Sequence, residues 1–274
     1  MEQKIRLIPE VLFLDGATTM ALHEHLMLRR QPALVLSHFV PATVTFGKNV
    51  HVASLPEACK NSSLPAVRRM TGGEILYHAE SDITYAFTSV PEDSELNISK
   101  AALSVMRNLM DGLECLGIKT YSRRGTSIFA KVGNVYKKIA GSAPCQEVGR
   151  PFLVHGSIFY DVPDFELLSK VYCYSPEQLR QGITWIKEHR NISLGQAYES
   201  IRIGFINGRK YEARSLSDEE IADIKRLAEK YAGRLHYQGT GCERPGKACA
   251  MEFGTHMELK DVAPKYIKPD RIIE

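Results

Sequence analysis

The sequence predicts an α+β fold, a mixed β-sheet core flanked by helices. Two observations carry this. Short β-branched and aromatic runs, separated by turn signals, crowd the chain up to Asp161. From there to Gly233 the apolar residues recur at helical spacing instead. Strands grouped early and helices grouped late suit helices packed on sheets better than a strict βαβ alternation.

In chain order, KIRLI and VLFLD read as strands or strand ends. TTMALHEHLMLRR places Met20, Leu22, Leu26 and Met27 at roughly helical spacing, with Thr18 or Thr19 as the cap. PALVLSHF and TVTFG are strand-like runs divided by a turn at Val40-Pro41. AVRRM, EILYH and ITYAFTSV read as three more strands around Gly72-Gly73. Ser99 is positioned to cap KAALSVMRNLMDGLECLG, whose stripe Ala102, Met106, Leu109, Leu113 and Leu116 ends at Gly117. SIFAKV and VYKKIAGSA flank Gly133-Asn134, a hairpin signal, and FLVHGSIFYDV follows as a further strand. Helices are expected over DFELLSKVY, SPEQLRQGITWI, SLGQAYESIRIGFI and SDEEIADIKRLAEKYAG. The last carries a capping box, Ser217 with Glu220, an apolar stripe of Ile221, Ile224, Leu227 and Tyr231, and a stop at Gly233. Residues 1–233 are expected to form one domain. Residues 234–274, rich in Gly, Pro and charge without a period, are expected to be an irregular extension.

The 274 residues are 44% hydrophobic and 24% charged, a globular composition that needs no staples. A net charge of +3 from 35 basic and 32 acidic residues argues against nucleic acid, which calls for a basic stripe. No apolar run approaches the roughly 18 residues of a membrane span. The N-terminus has no secretory pattern, so a cytoplasmic location is expected, with the six scattered cysteines as thiols.

Three stretches could carry chemistry. In VRRMTGGEILYH, Arg68 and Arg69 hold permanent charge and forked donors beside Gly72 and Gly73, where a ligand can approach bare amides. Adjacent strand residues face opposite sides, so one arginine at most should share a ligand with the turn. A surface hairpin with two solvated arginines fits equally. In YKKIAGSAPC, Lys137 and Lys138 offer a compact charge to a phosphate or a reacting carbonyl, or else form a polar edge strand. In LVHGSIFYD, His155 and Gly156 could meet a ligand, although a lone histidine is more often structural.

Taken in order, RRMTGGEILYH, KKIAGSA and HGSIFYD resemble the lipoate–protein ligase, octanoyltransferase and biotin–protein ligase superfamily. PATVTFGKN and FLDGATTMALHEHL upstream are also similar to it. The resemblance runs from about residue 10 to about residue 232. It implies a mixed sheet flanked by helices and attachment of lipoate or octanoate to a lysine of a carrier domain. That carrier would be a glycine-cleavage H-like protein or the lipoyl domain of a 2-oxoacid dehydrogenase. In the ligases, ATP with Mg2+ first activates the acid as acyl-AMP. Carried over by motif, Lys138 is the catalytic lysine. Arg68 or Arg69, Gly72, Gly73, His78, Gly141, Ser142, Ala143, His155 and Gly156 bind acyl chain and adenylate. Fixed cations stabilise the charge that develops on carboxylate and phosphate oxygens, and they help to keep an incoming amine deprotonated.

The resemblance leaves ligase and transferase both open, with the ligase preferred. Octanoyltransferases use no ATP and hold the acyl group as a thioester on a cysteine. One branch places that cysteine in the loop before the lysine strand, where this chain has Ile128. The other places it about 35 residues after the lysine, where Cys173 stands, and Cys145 is a second candidate. Three departures stand out: Glu74 where many ligases have a third glycine, Ala79 where an aspartate is common, and a tail too short for an accessory domain, so that a ligase would need a partner subunit or a tail that replaces its role. His236, Cys242, Cys249 and His256 in that tail lack a CxxC pair, so no metal site is expected. A biotin ligase fits the KIAGSA and HGSI pattern less well. A non-catalytic lipoate-binding module would not need Lys138.

Overall fold

Both apolar runs at the N-terminus belong to one strand, β1 (Ile5–Leu14). Its register against its neighbour shifts between Leu7 and Val11, around Pro9, which has no N–H to give to a ladder. This computed structural model describes residues 4–60, 63–89, 98–123, 126–146 and 151–232. After β1 come α1 (Gly16–Leu28), β2 (Ala33–Phe39), β3 (Thr43–Phe46), α2 (Glu57–Lys60), β4 (Ala66–Arg68), β5 (Ile75–His78) and β6 (Ile83–Ser89). The middle of the chain forms α3 (Ile98–Cys115), β7 (Thr120–Arg123), β8 (Ser127–Val132), β9 (Val135–Gln146) and β10 (Phe152–Ile158). The remainder is α4 (Phe165–Tyr172), α5 (Pro176–Gly182), α6 (Ile186–His189), α7 (Leu194–Ile206), β11 (Tyr211–Ala213) and α8 (Asp218–Ala232).

The expected mixed sheet flanked by helices is present. Eight strands run in the order β11-β1-β2-β6-β10-β9-β8-β7, and a second sheet of three runs β4-β3-β5. β1 is parallel to both of its neighbours, while the run β2-β6-β10-β9-β8-β7 pairs antiparallel throughout. Every residue of β2 is buried because helices cover both faces of the sheet. Leu34 and Leu36 pack with Val105, Leu109 and Leu113 of α3 and with Ile201 and Phe205 of α7. Ala33 and Val35, on the other face, pack with Met20, Leu22 and Met27 of α1 and with Ile224 and Tyr231 of α8. Helix α8 is tied to β1 by the fork of Arg6, whose Nη1 and Nη2 reach Glu220 Oε1 and Oε2 at 2.6 and 2.8 Å. A third cluster, with Phe46, Tyr77, Leu168 and Tyr172, joins the small sheet to α4 and α5.

Several local expectations change. Helix α1 is capped by Asp15, not by Thr18 or Thr19. Its carboxylate accepts the Thr18 N–H at 3.0 Å, and Thr19 sits in the first turn with its hydroxyl on the Asp15 carbonyl. Ser99 lies inside α3, which already runs from Ile98. SPEQLRQGITWI is broken into α5 and α6, because Ile183 is drawn out to bridge Lys138 of β9. The edge strands β7 and β11 were not legible, being four and three residues long and without a buried face. Gly117 does end α3 with φ +72°, Gly133 turns the β8–β9 hairpin at φ +59°, and Ser217 and Glu220 form the expected capping box. Gly233 and the tail with His236, Cys242, Cys249 and His256 lie outside the described residues. No helix among the described residues is long and apolar enough to cross a membrane.

Candidate active site

The hairpin β8–β9 carries a register irregularity opposite Ile128 and Phe129, which pair with Ala140 and Lys138, so Ile139 is an extra residue. On an even strand Lys138 and Gly141, three apart, would face opposite sides. The bulge at Ile139 reverses that parity and brings both to one cleft. Lys138 is only 7% exposed, and a Cβ on Gly141 would come 3.6 Å from its Nζ, so the ammonium lies over the bare strand. The cleft has a volume of about 280 Å³. Arg69, Gly73, Glu74, Ser127, Ser142 and Ala143 also line it.

The two arginines divide as strand geometry requires. Arg68 points away from the cleft, stacks over Phe46 at 4.7 Å and donates to the carbonyls of Lys48 and Val50. Arg69 lines the cleft and ties the glycine turn to it. Its guanidinium donates to the Gly72 and Glu74 carbonyls at 3.0 and 2.8 Å, and to the hydroxyls of Thr45 and Thr71 at 2.8 and 3.3 Å. Of the two glycines, only Gly73 uses the left-handed region, at φ +92°. Burial lowers the Arg69 pKa to about 10, so it keeps its charge at neutral pH.

Behind Arg69 lies a narrow inner recess of about 10 Å³, lined by His23, Phe39, Thr45, His78, His155, Gly156 and neighbours. A guanidinium only donates, so both threonine hydroxyls accept from it. Thr45 Oγ1, which accepts from Arg69, also bonds His78 Nε2 at 2.7 Å, and His78 Nδ1 bonds Ser157 Oγ at 2.6 Å. Thr71 Oγ1 likewise joins Arg69 to His155 Nε2, at 2.8 Å from the ring, and His155 Nδ1 meets His23 Nδ1 at 2.8 Å. The three imidazoles are neutral. Burial drives His23 and His78 down to about 3 and His155 well below its ordinary value, and the charge of Arg69 pushes His78 and His155 further down. The arrangement is one permanent positive charge at the mouth of a neutral, hydrogen-bonded recess.

The structure therefore brings Lys138, Arg69, Gly73, Gly141, Ser142 and Ala143 to the cleft, and His78, His155 and Gly156 to the recess behind it. Gly72 contributes its carbonyl to the Arg69 fork. Arg68 and the two cysteines line neither space. Cys145 is buried in the cluster with Met20 and Leu153, and Cys173 is the exposed, left-handed C-cap of α4 at φ 56°. Sequence reasoning missed Thr45, Thr71 and Ser157, ordinary strand and loop hydroxyls with no local mark. It also missed His23, one of two histidines on α1, which only the packing of α1 against β10 singles out. No group of three or more His, Cys, Asp or Glu side chains fit to hold a metal occurs among the described residues.

Comparisons with known proteins give the family and the fold. The family model of the lipoyl protein ligase A/B catalytic domain matches residues 15–206. Octanoyltransferase LipM of Exiguobacterium sibiricum is 25% identical, over 72% of this chain and 80% of its own. Among solved structures, the bi-partite lipoate protein ligase of Thermoplasma acidophilum, studied with its E2 lipoyl domain, superposes with a TM-score of 0.70 at 18% identity, covering 85% of this chain and 95% of that one. Lipoate-protein ligase A bound with ATP has the same score and identity, covering 85% and 97%. The chain belongs to the lipoyl protein ligase A/B catalytic-domain family, the enzymes of protein lipoylation that comprise lipoate–protein ligases and octanoyltransferases.

Proposed function

We propose that the protein is a lipoate–protein ligase. It activates lipoate or octanoate with ATP as acyl-AMP and transfers the acyl group to a lysine of a lipoyl carrier. One observation carries the choice of ligase over transferase: among the described residues, the cleft around Lys138 is lined by no thiol. Position 128, where one transferase branch has its cysteine, is an isoleucine fully buried in the main core. Thioester catalysis needs an activated thiolate within reach of the acyl carbonyl, and neither Cys145 nor Cys173 lines the cleft.

The cleft suits the reacting centre of an adenylate. At about 280 Å³ it is near the lower end of small-molecule sites, enough for an acyl carbonyl and its phosphate. Lys138 and Arg69 supply positive charge where carboxylate and phosphate oxygens gather negative charge. Mg2+ would arrive as the nucleotide's own ion. The relation to a bi-partite ligase that acts with an E2 lipoyl domain supports a lipoyl-domain or H-like carrier and an accessory subunit for this chain.

The relation to LipM favours a second reading, in which octanoate passes from acyl carrier protein through Cys173 or Cys145. One experiment separates the two. The protein is mixed with apo carrier, lipoate and Mg·ATP, and in parallel with octanoyl-acyl carrier protein without ATP. The expected result is a mass gain on the carrier only in the first mixture. A gain only in the second, abolished by Cys173→Ala or Cys145→Ala, overturns the ligase.

A further inference from the structure

We propose that Glu74 is the base that takes the proton from the carrier amine as the amide forms. This rests on acyl transfer to a lysine amine. It does not depend on whether the donor is an adenylate or a thioester.

The backbone of Glu74 is fixed: its carbonyl accepts from Arg69 Nη2 at 2.8 Å and from the Gly47 N–H at 3.3 Å. Its half-buried side chain lines the same cleft as Lys138, Ser127 and Gly141. Its Oε2 is buried and has no hydrogen-bond partner among the described residues. Arg69 attracts this carboxylate through charge but gives it no hydrogen bond, since the Arg69 donors go to two carbonyls and two threonine hydroxyls. A buried carboxylate oxygen without a partner is costly and points to a ligand that donates N–H. The acyl and phosphate groups bring only oxygens and negative charge to this cleft, and a carboxylate repels them. Of the reacting groups, the lysine amine is the N–H donor that Glu74 attracts. Among the described residues lining the cleft it is the single carboxylate.

The chemistry needs such a group. The neutral amine attacks the acyl carbon, the N–C bond forms and the carbonyl pair moves to oxygen. The adduct then carries an acidic N–H on positive nitrogen. Glu74 Oε2 takes this proton, the oxygen pair returns, and the bond to the leaving group breaks with its electrons on the phosphate. A departing phosphate monoester is too weakly basic to collect the proton efficiently. Glu74 then releases it to solvent.

The test is a single-turnover comparison of wild type, Glu74→Gln and Glu74→Asp, with folding checked by thermal melting. Pyrophosphate release reports activation, and intact mass of the apo carrier reports amide formation across pH. Glu74→Gln should activate at least as fast as wild type, because a negative charge beside the phosphate is gone. It should transfer at least about 100-fold more slowly and lose the pH dependence of transfer. Glu74→Asp should recover part of the rate. Transfer by Glu74→Gln at the wild-type rate, or equal loss of both steps, overturns the proposal. Should wild type use octanoyl-acyl carrier protein rather than ATP, amide formation by the same variants is read on that donor. Failure of the ligase reading and failure of the Glu74 proposal thus leave different patterns.

Discussion

Replacing Gly156 with alanine should damage both stability and activity, and the structure gives the size of the effect. Gly156 of β10 faces Ser142 of β9, and an added Cβ would lie 2.0 Å from the Gly141 carbonyl oxygen and 2.9 Å from its carbon. Those are backbone atoms, so no side chain can swing away. Real Cβ contacts are essentially never closer than 3.0 Å, so the strands must part by about 1 Å. Overpacking of this kind costs about 1–3 kcal/mol. For a domain of this size that lowers Tm by roughly 2–12 °C. The part of β9 that moves is Gly141, over which Lys138 lies, and a misplacement of about 1 Å at a reacting centre costs up to roughly 100-fold in rate. Calorimetry and the carrier-mass assay read the two effects. Gly72→Ala is the control: its Cβ meets nothing within 4 Å, and stability should change by less than about 0.5 kcal/mol. A Gly156→Ala protein that melts and turns over like wild type would refute the claim that close β9–β10 approach sets the cleft.

Lys138→Ala should abolish carrier modification while Tm stays near wild type, since its ammonium lies at a cleft rather than in the core; full activity in that variant would sink the site assignment. Arg69→Gln should cost on the order of 3 kcal/mol, measured by denaturant melts, because the acceptors of Thr45, Thr71, Gly72 and Glu74 lose their shared donor group. Asp82 gives a pH signature. Burial, only partly offset by the Ala79 N–H, raises its pKa to about 7, whereas the unfolded chain releases that proton near pH 3.9. Between roughly pH 4 and 7 the native state therefore binds more protons than the unfolded one, and the Asp82 contribution to stability falls as pH rises. Asp82→Asn should flatten that slope and melt higher than wild type at pH 8; an unchanged slope would contradict the assigned cause.

The sequence by itself determined the elements whose cause is local. β-Branched and aromatic runs set β2, β6 and β10, and helical spacing set α3, α4 and α7. Gly117, Gly133 and the Ser217–Glu220 box, fixed by backbone conformation and nearby donors, stood where expected. The alternation of strand side chains even implied that Arg68 and Arg69 part company. The tertiary structure decided what depends on distant partners. Which arginine serves the cleft follows from β4 lying beside β3, so that Arg68 meets Phe46 and Arg69 meets Thr45. That Lys138 and Gly141 share a face follows from one bulge, invisible in a run of residues that fits an even strand. The His23–His155 pair, and a Glu74 oxygen that finds no hydrogen-bond partner among the described residues, depend on segments far apart in the chain, and residue type alone carries no record of them.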